Sequence, residues 1–243
     1  MPFEKFYRAG TSSASSYACH YLSEAGFLIA DSPDWNTKHL LLDVPSFSPG
    51  SWTSKSLDTL LSSLSENITV WGGNLNHPSL ENYQTIDLLK DETYLTKNAD
   101  ITADCTIPIA ESVLDHPWEK VKVLIIGWGR ITKSLSPKLK SLGCDVTISS
   151  RSASHQEEAI ASGFYTSLSP DDIQPYHLIV NTAPAHILTV HENSTSAFID
   201  LASVKGIEGS NVIWARGLPG KYAPKRSGKL IADTILRLSK EGL

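Results

Sequence analysis

Cysteine and methionine are scarce in this chain, with three of the first and one of the second among 243 residues. Cys19, Cys105 and Cys144 are odd in number and none stands in a C-x-x-C pair. That pattern argues against a disulfide framework and a thiolate zinc site, and suits a reducing compartment. None of the eight histidines has metal-ligand or triad spacing, so no metal is expected. No apolar run approaches the ~18 residues of a membrane helix. The opening "MPFEKFYRAG" has no apolar signal core, so the expectation is a cytoplasmic protein without membrane contact. Net charge is −5 with both signs interspersed, which offers nucleic acid no basic face.

What the sequence does have is hydrophobic residues, 41% of the total, arranged as alternating apolar and amphipathic stretches. "FYRAG" and "FLIAD" read as strands around a helix at residues 11–25, with Ala14, Ala18, Tyr21 and Leu22 on one face. "KHLLLDVP" and "ITVWGG" read as further strands, separated by a helix carrying Leu57, Leu60, Leu61 and Leu64. Residues 83–99 fit either state. A helix at 102–114 ends near His116-Pro117. The pattern then restarts with strands at "VKVLIIG", "CDVTISS", "HLIVNTA", "AFIDLAS" and "NVIWARG", whose unbroken apolar character suits burial on both faces. Ser154 and Glu157 form a capping box for a helix ending at Gly163. These alternations predict an α/β protein with two doubly wound parallel-sheet domains. Residues 1–101 form a smaller substrate-side domain, 102–118 a linking helix and 119–226 a Rossmann dinucleotide-binding domain. The helix at 227–243 can pack back on the first.

Nucleotide chemistry enters at "IIGWGRIT". Gly127 ends a buried strand, Gly129 allows close backbone approach to a pyrophosphate, and the following helix presents its N-terminal amides to that anion. A structural strand-to-helix corner would also use glycines. Thr132 holds the position where a third glycine normally permits tight packing, and Pro137 should kink the helix. The next strand ends in "SSRS", Ser149 to Ser152, where an NAD site would carry an acid for the ribose 2′-OH. Hydroxyls and the Arg151 guanidinium suit a 2′-phosphate, so NADP is expected rather than NAD. The alternative is a solvated loop arginine.

From Asn98 onward the chain resembles the dipicolinate synthase A family, through "NADITADCTIPIAE", "VLIIGWGR", "SSRSASH", "VNTAPAHILT", "IDLAS" and above all "RGLPGKYAPKRSGKLIADTIL". The resemblance implies a two-domain, NADP-dependent dehydrogenase of dipicolinate biosynthesis in sporulation. It would take a dihydrodipicolinate-type cyclic dicarboxylate to pyridine-2,6-dicarboxylate, working with a flavoprotein partner, dipicolinate synthase B, with self-association as a homodimer left open. The first 97 residues match poorly and look shorter than usual. "SVKGIEGS" replaces an expected proline-glycine-glycine turn, and Asp104-Cys105 an expected Glu-Gly.

Carried over by position, Gly127, Trp128, Gly129, Arg130 and Ile131 hold the pyrophosphate, while Ser150, Arg151 and Ser152 hold the ribose phosphate. Asn181, Thr182, Ala183 and Pro184 line the nicotinamide side, and Gly217, Leu218 and Pro219 close over it. Asp200 ends a strand and either orients the nicotinamide, accepts a proton or caps a helix. Lys225 and Arg226 precede a helix N-terminus that favours anions, and the pair suits a dicarboxylate; a solvated basic loop is the alternative. Asp200 and Lys225 are thus the candidates for catalysis. Ser12, Ser13, Thr102, Asp104 and Arg226 are the candidates for substrate binding. The competing functional class is a non-catalytic NADP-binding scaffold or sensor for a partner flavoprotein.

Overall fold

The unbroken apolar stretches become strands of two parallel sheets. The computed structural model describes residues 4–47, 54–168, 170 and 173–241. It divides into unit 1, Met1–Asn98 with Pro219–Leu243, and unit 2, Ala99–Leu218.

Unit 1 begins with β1 (Lys5–Arg8), α1 (Ser13–Glu24), β2 (Leu28–Ala30) and β3 (His39–Leu41). It continues with α2 (Ser54–Leu61), β4 (Thr69–Gly72) and β5 (Gln84–Asp87), leading into α3 (Glu92–Glu111). The sheet order is β2-β1-β3-β4-β5, every pairing parallel. This is a doubly wound order with its switch point between β1 and β3. The core holds Leu40, Leu42, Leu57, Leu61, Leu64 and Val70, so the leucine periodicity of α2 is buried against the sheet.

The linking helix predicted at 102–118 is corrected: α3 starts ten residues earlier, at Glu92, and stops at Glu111. Asp91 sets the start, accepting the Tyr94 amide at 2.7 Å, an N-terminal cap. Residues 118–120 form a separate 3-10 turn, and the division between the units falls inside α3.

Unit 2 contains β6 (Lys122–Ile126), α4 (Arg130–Ser141), β7 (Asp145–Ser149), α5 (Ala153–Ala161) and β8 (Tyr165–Ser167). After them come β9 (Leu178–Asn181), β10 (Leu188–Thr189), β11 (Ala197–Asp200), β12 (Ile207–Glu208) and β13 (Val212–Trp214). The six-stranded order β13-β11-β9-β6-β7-β8 is entirely parallel. It is the Rossmann order, with β6 central and the switch point between β6 and β9. Val123, Leu124, Ile125 and Ile126 of β6 are all buried, as a strand covered on both faces requires. β10 and β12 form a separate two-stranded ladder. α4 runs through Pro137, which is exposed, to Ser141 without interruption. α5 is capped at Ser152, not Ser154, and no side-chain cap bond forms there. The expected Ser154–Glu157 box fails because Ser154 already lies inside the helix.

The last elements are α6 (Leu218–Tyr222) and α7 (Pro224–Lys240); residues 242 and 243 of the predicted terminal helix lie outside the described residues. α7 belongs to unit 1 and crosses α1 at Gly228, where a Cβ would stand 2.5 Å from Tyr17 Cβ and 2.6 Å from the Ala14 carbonyl oxygen. Only glycine permits that crossing. Arg237 of α7 also meets the Asp91 cap, Nη2 to Oδ1 at 2.6 Å. Burial acts to raise the Asp91 carboxyl, but hydrogen bonds from Arg237 and the Tyr94 amide hold it below its ordinary value.

Candidate functional site

In an open parallel sheet, ligands bind beyond the carboxyl ends of the strands at the switch point. Unit 2 has a cavity of ≈ 500 Å³ there, reached by the ends of β6, β7 and β9. Each wall follows from local sequence.

The floor is the turn Gly127-Trp128-Gly129. Gly127 takes φ +100°, and a Cβ on it would meet Thr182 Oγ1 at 2.6 Å, so glycine is required there for shape and conformation. Gly129 is different: a Cβ there would find nothing within 4 Å. Its bare backbone lines the cavity and forms the N-cap of α4 without a side-chain cap bond. The first amides of α4 thus keep their capacity for an anion.

Thr132, where a third glycine was expected, is fully buried and supplies a hydroxyl chain. Its Oγ1 lies 2.9 Å from Thr182 Oγ1, which donates to the Ile126 carbonyl at 2.9 Å. Helix and strands are therefore joined by hydrogen bonds where glycine would have joined them by contact. The Trp128 side chain turns onto α5, donating to Glu158 Oε2 at 3.0 Å and packing edge-on to Phe164. Lys133 binds the same oxygen at 2.7 Å. Lys133 first, then Trp128, hold the exposed Glu158 carboxyl below its ordinary value.

The second wall is the end of β7. Ser149 and Ser150 are buried, and Gln156 donates to the Ser150 carbonyl at 2.6 Å. Ser152's amide reaches Ser150 Oγ at 3.3 Å. Arg151 is exposed on this wall and makes no ion pair among the described residues. No described residue of the lining is a carboxylate. The third wall is Thr182, Ala183 and Pro184 after β9.

The structure thus gathers Gly127, Trp128, Gly129, Ser150, Arg151, Ser152, Thr182, Ala183 and Pro184 at one cavity. Arg130, Ile131, Asn181, Gly217, Leu218 and Pro219 are not in its lining. Leu218 and Pro219 are buried at the start of α6. Sequence reasoning missed His155 and His186, which do line it. Spacing rules for metals and triads could not find them; His155's place in the helix turn after "SSRS" could have.

Several expected roles need correction. Asp200 is fully buried and its carboxylate accepts four hydrogen bonds, two per oxygen, from Asn181 Nδ2 (2.9 Å) and the amides of Ala202 (3.0 Å), Gly206 (2.6 Å) and Ile207 (3.0 Å). It is an anchor with no oxygen left to take a substrate proton. Asn181 is equally committed, its amide nitrogen also reaching the Ala183 carbonyl and its Oδ1 accepting the Ala183 amide. It shapes the wall from behind. Asp104 pairs with Lys138 of α4 at 2.8 Å, beside Asp100 at 2.9 Å. Asp104, then Asp100, hold the Lys138 ammonium above its ordinary value. This is a helix clamp, not a substrate arm. Thr102 is buried, and its carbonyl accepts the Thr106 hydroxyl.

In unit 1, Ser12 caps α1 and donates its Oγ to Asp43 at 2.5 Å, while the Thr11 amide reaches the same carboxylate at 2.9 Å. Asp43 follows β3, so unit 1 fills its own switch-point anion site with a carboxylate. That charge opposes a dicarboxylate at Ser12 or its exposed neighbour Ser13. Lys225 and Arg226 are exposed in the first turn of α7.

The Cys19 and Cys144 thiols are pushed up to about 11, in both cases first by burial, which leaves them unreactive near neutrality. Among the described residues there is no cluster of three or more metal-ligating side chains, and no helix is long and apolar enough to cross a membrane.

Rossmann topology, a glycine turn and a cavity at the switch point define a two-unit α/β protein of the dehydrogenase fold. The transhydrogenase of Sinorhizobium meliloti shares this architecture, with a TM-score of 0.68 at 11% identity over 98% of this chain and 94% of that one. No family model matches. Dipicolinate synthase A of Bacillus subtilis is 27% identical over 171 residues, 64% of this chain. The matched stretch spans 58% of that relative's length. The Bacillus halodurans dipicolinate synthase A structure superposes with a TM-score of 0.82, at 20% identity, covering 97% of both chains. The chain is thus similar in sequence to dipicolinate synthase A over part of its length and shares the fold of that protein.

Proposed function

We propose that the chain is an NADP-dependent oxidoreductase acting on a dihydrodipicolinate-type cyclic dicarboxylate in the cytoplasm, with pyridine-2,6-dicarboxylate as product. One observation carries the cofactor half: the wall at Ser150, Arg151 and Ser152 presents hydroxyls and a guanidinium that makes no ion pair among the described residues, with no carboxylate among its described lining residues. An NAD-preferring wall would place an acid there. The residues present fit a dinucleotide, since Gly129 leaves open the space a pyrophosphate backbone contact needs. Bound, the cofactor would supply a nicotinamide ring that accepts hydride.

The chain's own part is to bind and orient. Gly127, Gly129 and the first amides of α4 hold the pyrophosphate, and Arg151 with its flanking serines holds the 2′-phosphate. Thr182, Ala183 and Pro184 form the nicotinamide side. Lys225 and Arg226 are the cations offered to the substrate's carboxylates. The substrate half rests on the family resemblance, as does partnership with the flavoprotein dipicolinate synthase B.

A second reading, a dinucleotide-binding protein without its own catalysis, is favoured by the saturation of Asp200, which removes the expected proton acceptor. Incubating the purified chain with a dihydrodipicolinate-type precursor and NADP, with and without the flavoprotein, separates the two. Reduced-cofactor fluorescence from the chain alone is the expected result. Fluorescence only with the partner supports the second reading, and binding without turnover in either case rules out the first.

A further inference from the structure

Arg151 is not the only basic side chain on this wall. His155 lines the same cavity. It is the third residue of α5, whose N-cap side chain makes no cap bond, because Ser152 Oγ pairs with Ser154 Oγ at 2.9 Å instead. The first-turn amides of α5, the Arg151 guanidinium and the His155 ring thus belong to one short segment bordering one cavity. His155 enters no ion pair among the described residues and is exposed. Histidine is the side chain whose charge changes between about pH 5 and pH 8.

Resting on the cofactor reading above, we propose that His155 is a second specificity-determining cation for the 2′-phosphate, and that it makes preference for NADP over NAD rise as pH falls. The charged neighbours set the sign. Arg151 on the loop repels an imidazolium, while Glu158, one turn along α5, attracts it. Glu158 is already held by Lys133 of α4 and by the Trp128 indole. Glu157 is the other acid of α5, and His186 is the remaining titratable side chain among the described cavity-lining residues. An arriving phosphate dianion favours the protonated ring as a charge-assisted donor. NAD offers a ribose hydroxyl at this point and gains little from the added charge. The phosphate monoester itself takes up a proton near pH 6, which acts in the opposite direction and must be subtracted.

The test is calorimetric binding of NADP and NAD to the full chain at about pH 6.5 and pH 8.5. Wild type, His155→Gln, His155→Lys and Arg151→Ala are compared. In wild type the NADP:NAD affinity ratio should be about threefold to tenfold higher at the lower pH. His155→Gln should lose that rise, because only the phosphate's own titration remains. His155→Lys should raise the ratio at the higher pH and flatten its pH course. A wild-type ratio and pH course in His155→Gln overturns the proposal while leaving the cofactor reading intact. No preference for NADP at either pH, with Arg151→Ala unchanged, overturns that reading and this proposal together.

Discussion

Asn181 and Asp200 stand side by side at the carboxyl ends of β9 and β11, paired in register and joined by a 2.9 Å hydrogen bond from Asn181 Nδ2 to Asp200 Oδ1. The bond sets the cavity wall without touching the cavity. Asp200 also fixes the backbone at Gly206 and Ile207, and a Cβ on Gly206 would strike Asn181 Nδ2 and the Ala185 carbonyl. The two chain segments are thus locked at van der Waals distance.

Asp200→Ala should accordingly cost about 3 kcal/mol or more of stability, because it strands one side-chain and three backbone donors in the interior. Urea unfolding followed by circular dichroism measures this. A loss under about 1 kcal/mol would mean water reaches those donors, and Asp200 would return to candidacy as a reacting group.

The two glycines of the turn should separate fold from binding. Gly127→Ala forces a side chain to φ +100° against Thr182, and should cost about 1–3 kcal/mol. A Cβ at Gly129 meets no protein atom within 4 Å, so Gly129→Val should keep native circular dichroism and thermal stability while abolishing dinucleotide binding by calorimetry. Unchanged affinity in Gly129→Val would reduce the turn to a structural corner.

Arg151→Ala should weaken NADP by about tenfold, the low end for a charged hydrogen bond at an exposed position, and leave NAD unchanged. An equal loss for both cofactors would make Arg151 a general surface residue.

Asp43 carries a pH prediction. Burial acts to raise its carboxyl, but hydrogen bonds from Ser12 Oγ, the Thr11 amide, Ser15 and the Ser12 amide hold it below its ordinary value. A carboxyl depressed in the folded state contributes stability above its unfolded pKa and loses it as pH falls through the folded one. Asp43→Ala should therefore cost about 1–2 kcal/mol at neutral pH and distinctly less near pH 3. An equal difference at both pH values in urea unfolding would show that the ionised form is not what holds α1.

Much of this was legible in sequence because buried parallel strands advertise themselves. "VKVLIIG" and "HLIVNTA" are apolar on both faces, and they became the two strands flanking the switch point. β5 and β8 escaped because edge strands are half in water: Gln84 and Thr85 are exposed, as is Tyr165. The glycine turn and "SSRS" could be read because each needs specific residue types at fixed offsets. The fate of Asp200 and Asp104 could not. An acid at a strand end looks the same whether it faces a ligand or four donors, and only the fold brings Gly206 to Asp200 or Lys138 to Asp104.

The Gly228 crossing bears on the order in which the protein can be made. Unit 2 is encoded in one uninterrupted stretch, Ala99–Leu218, and has all its strands once that stretch has left the ribosome. Unit 1 must wait, since α7 covers the side of α1 that carries Ala14 and Ala18 and is synthesised after unit 2. Residues 1–98 are thus translated before unit 2 and completed as a fold after it. In arrested nascent chains, protease resistance should appear in 99–218 before it appears in 1–98. The reverse order would mean that the first strands and α1 hold together without their closing helix.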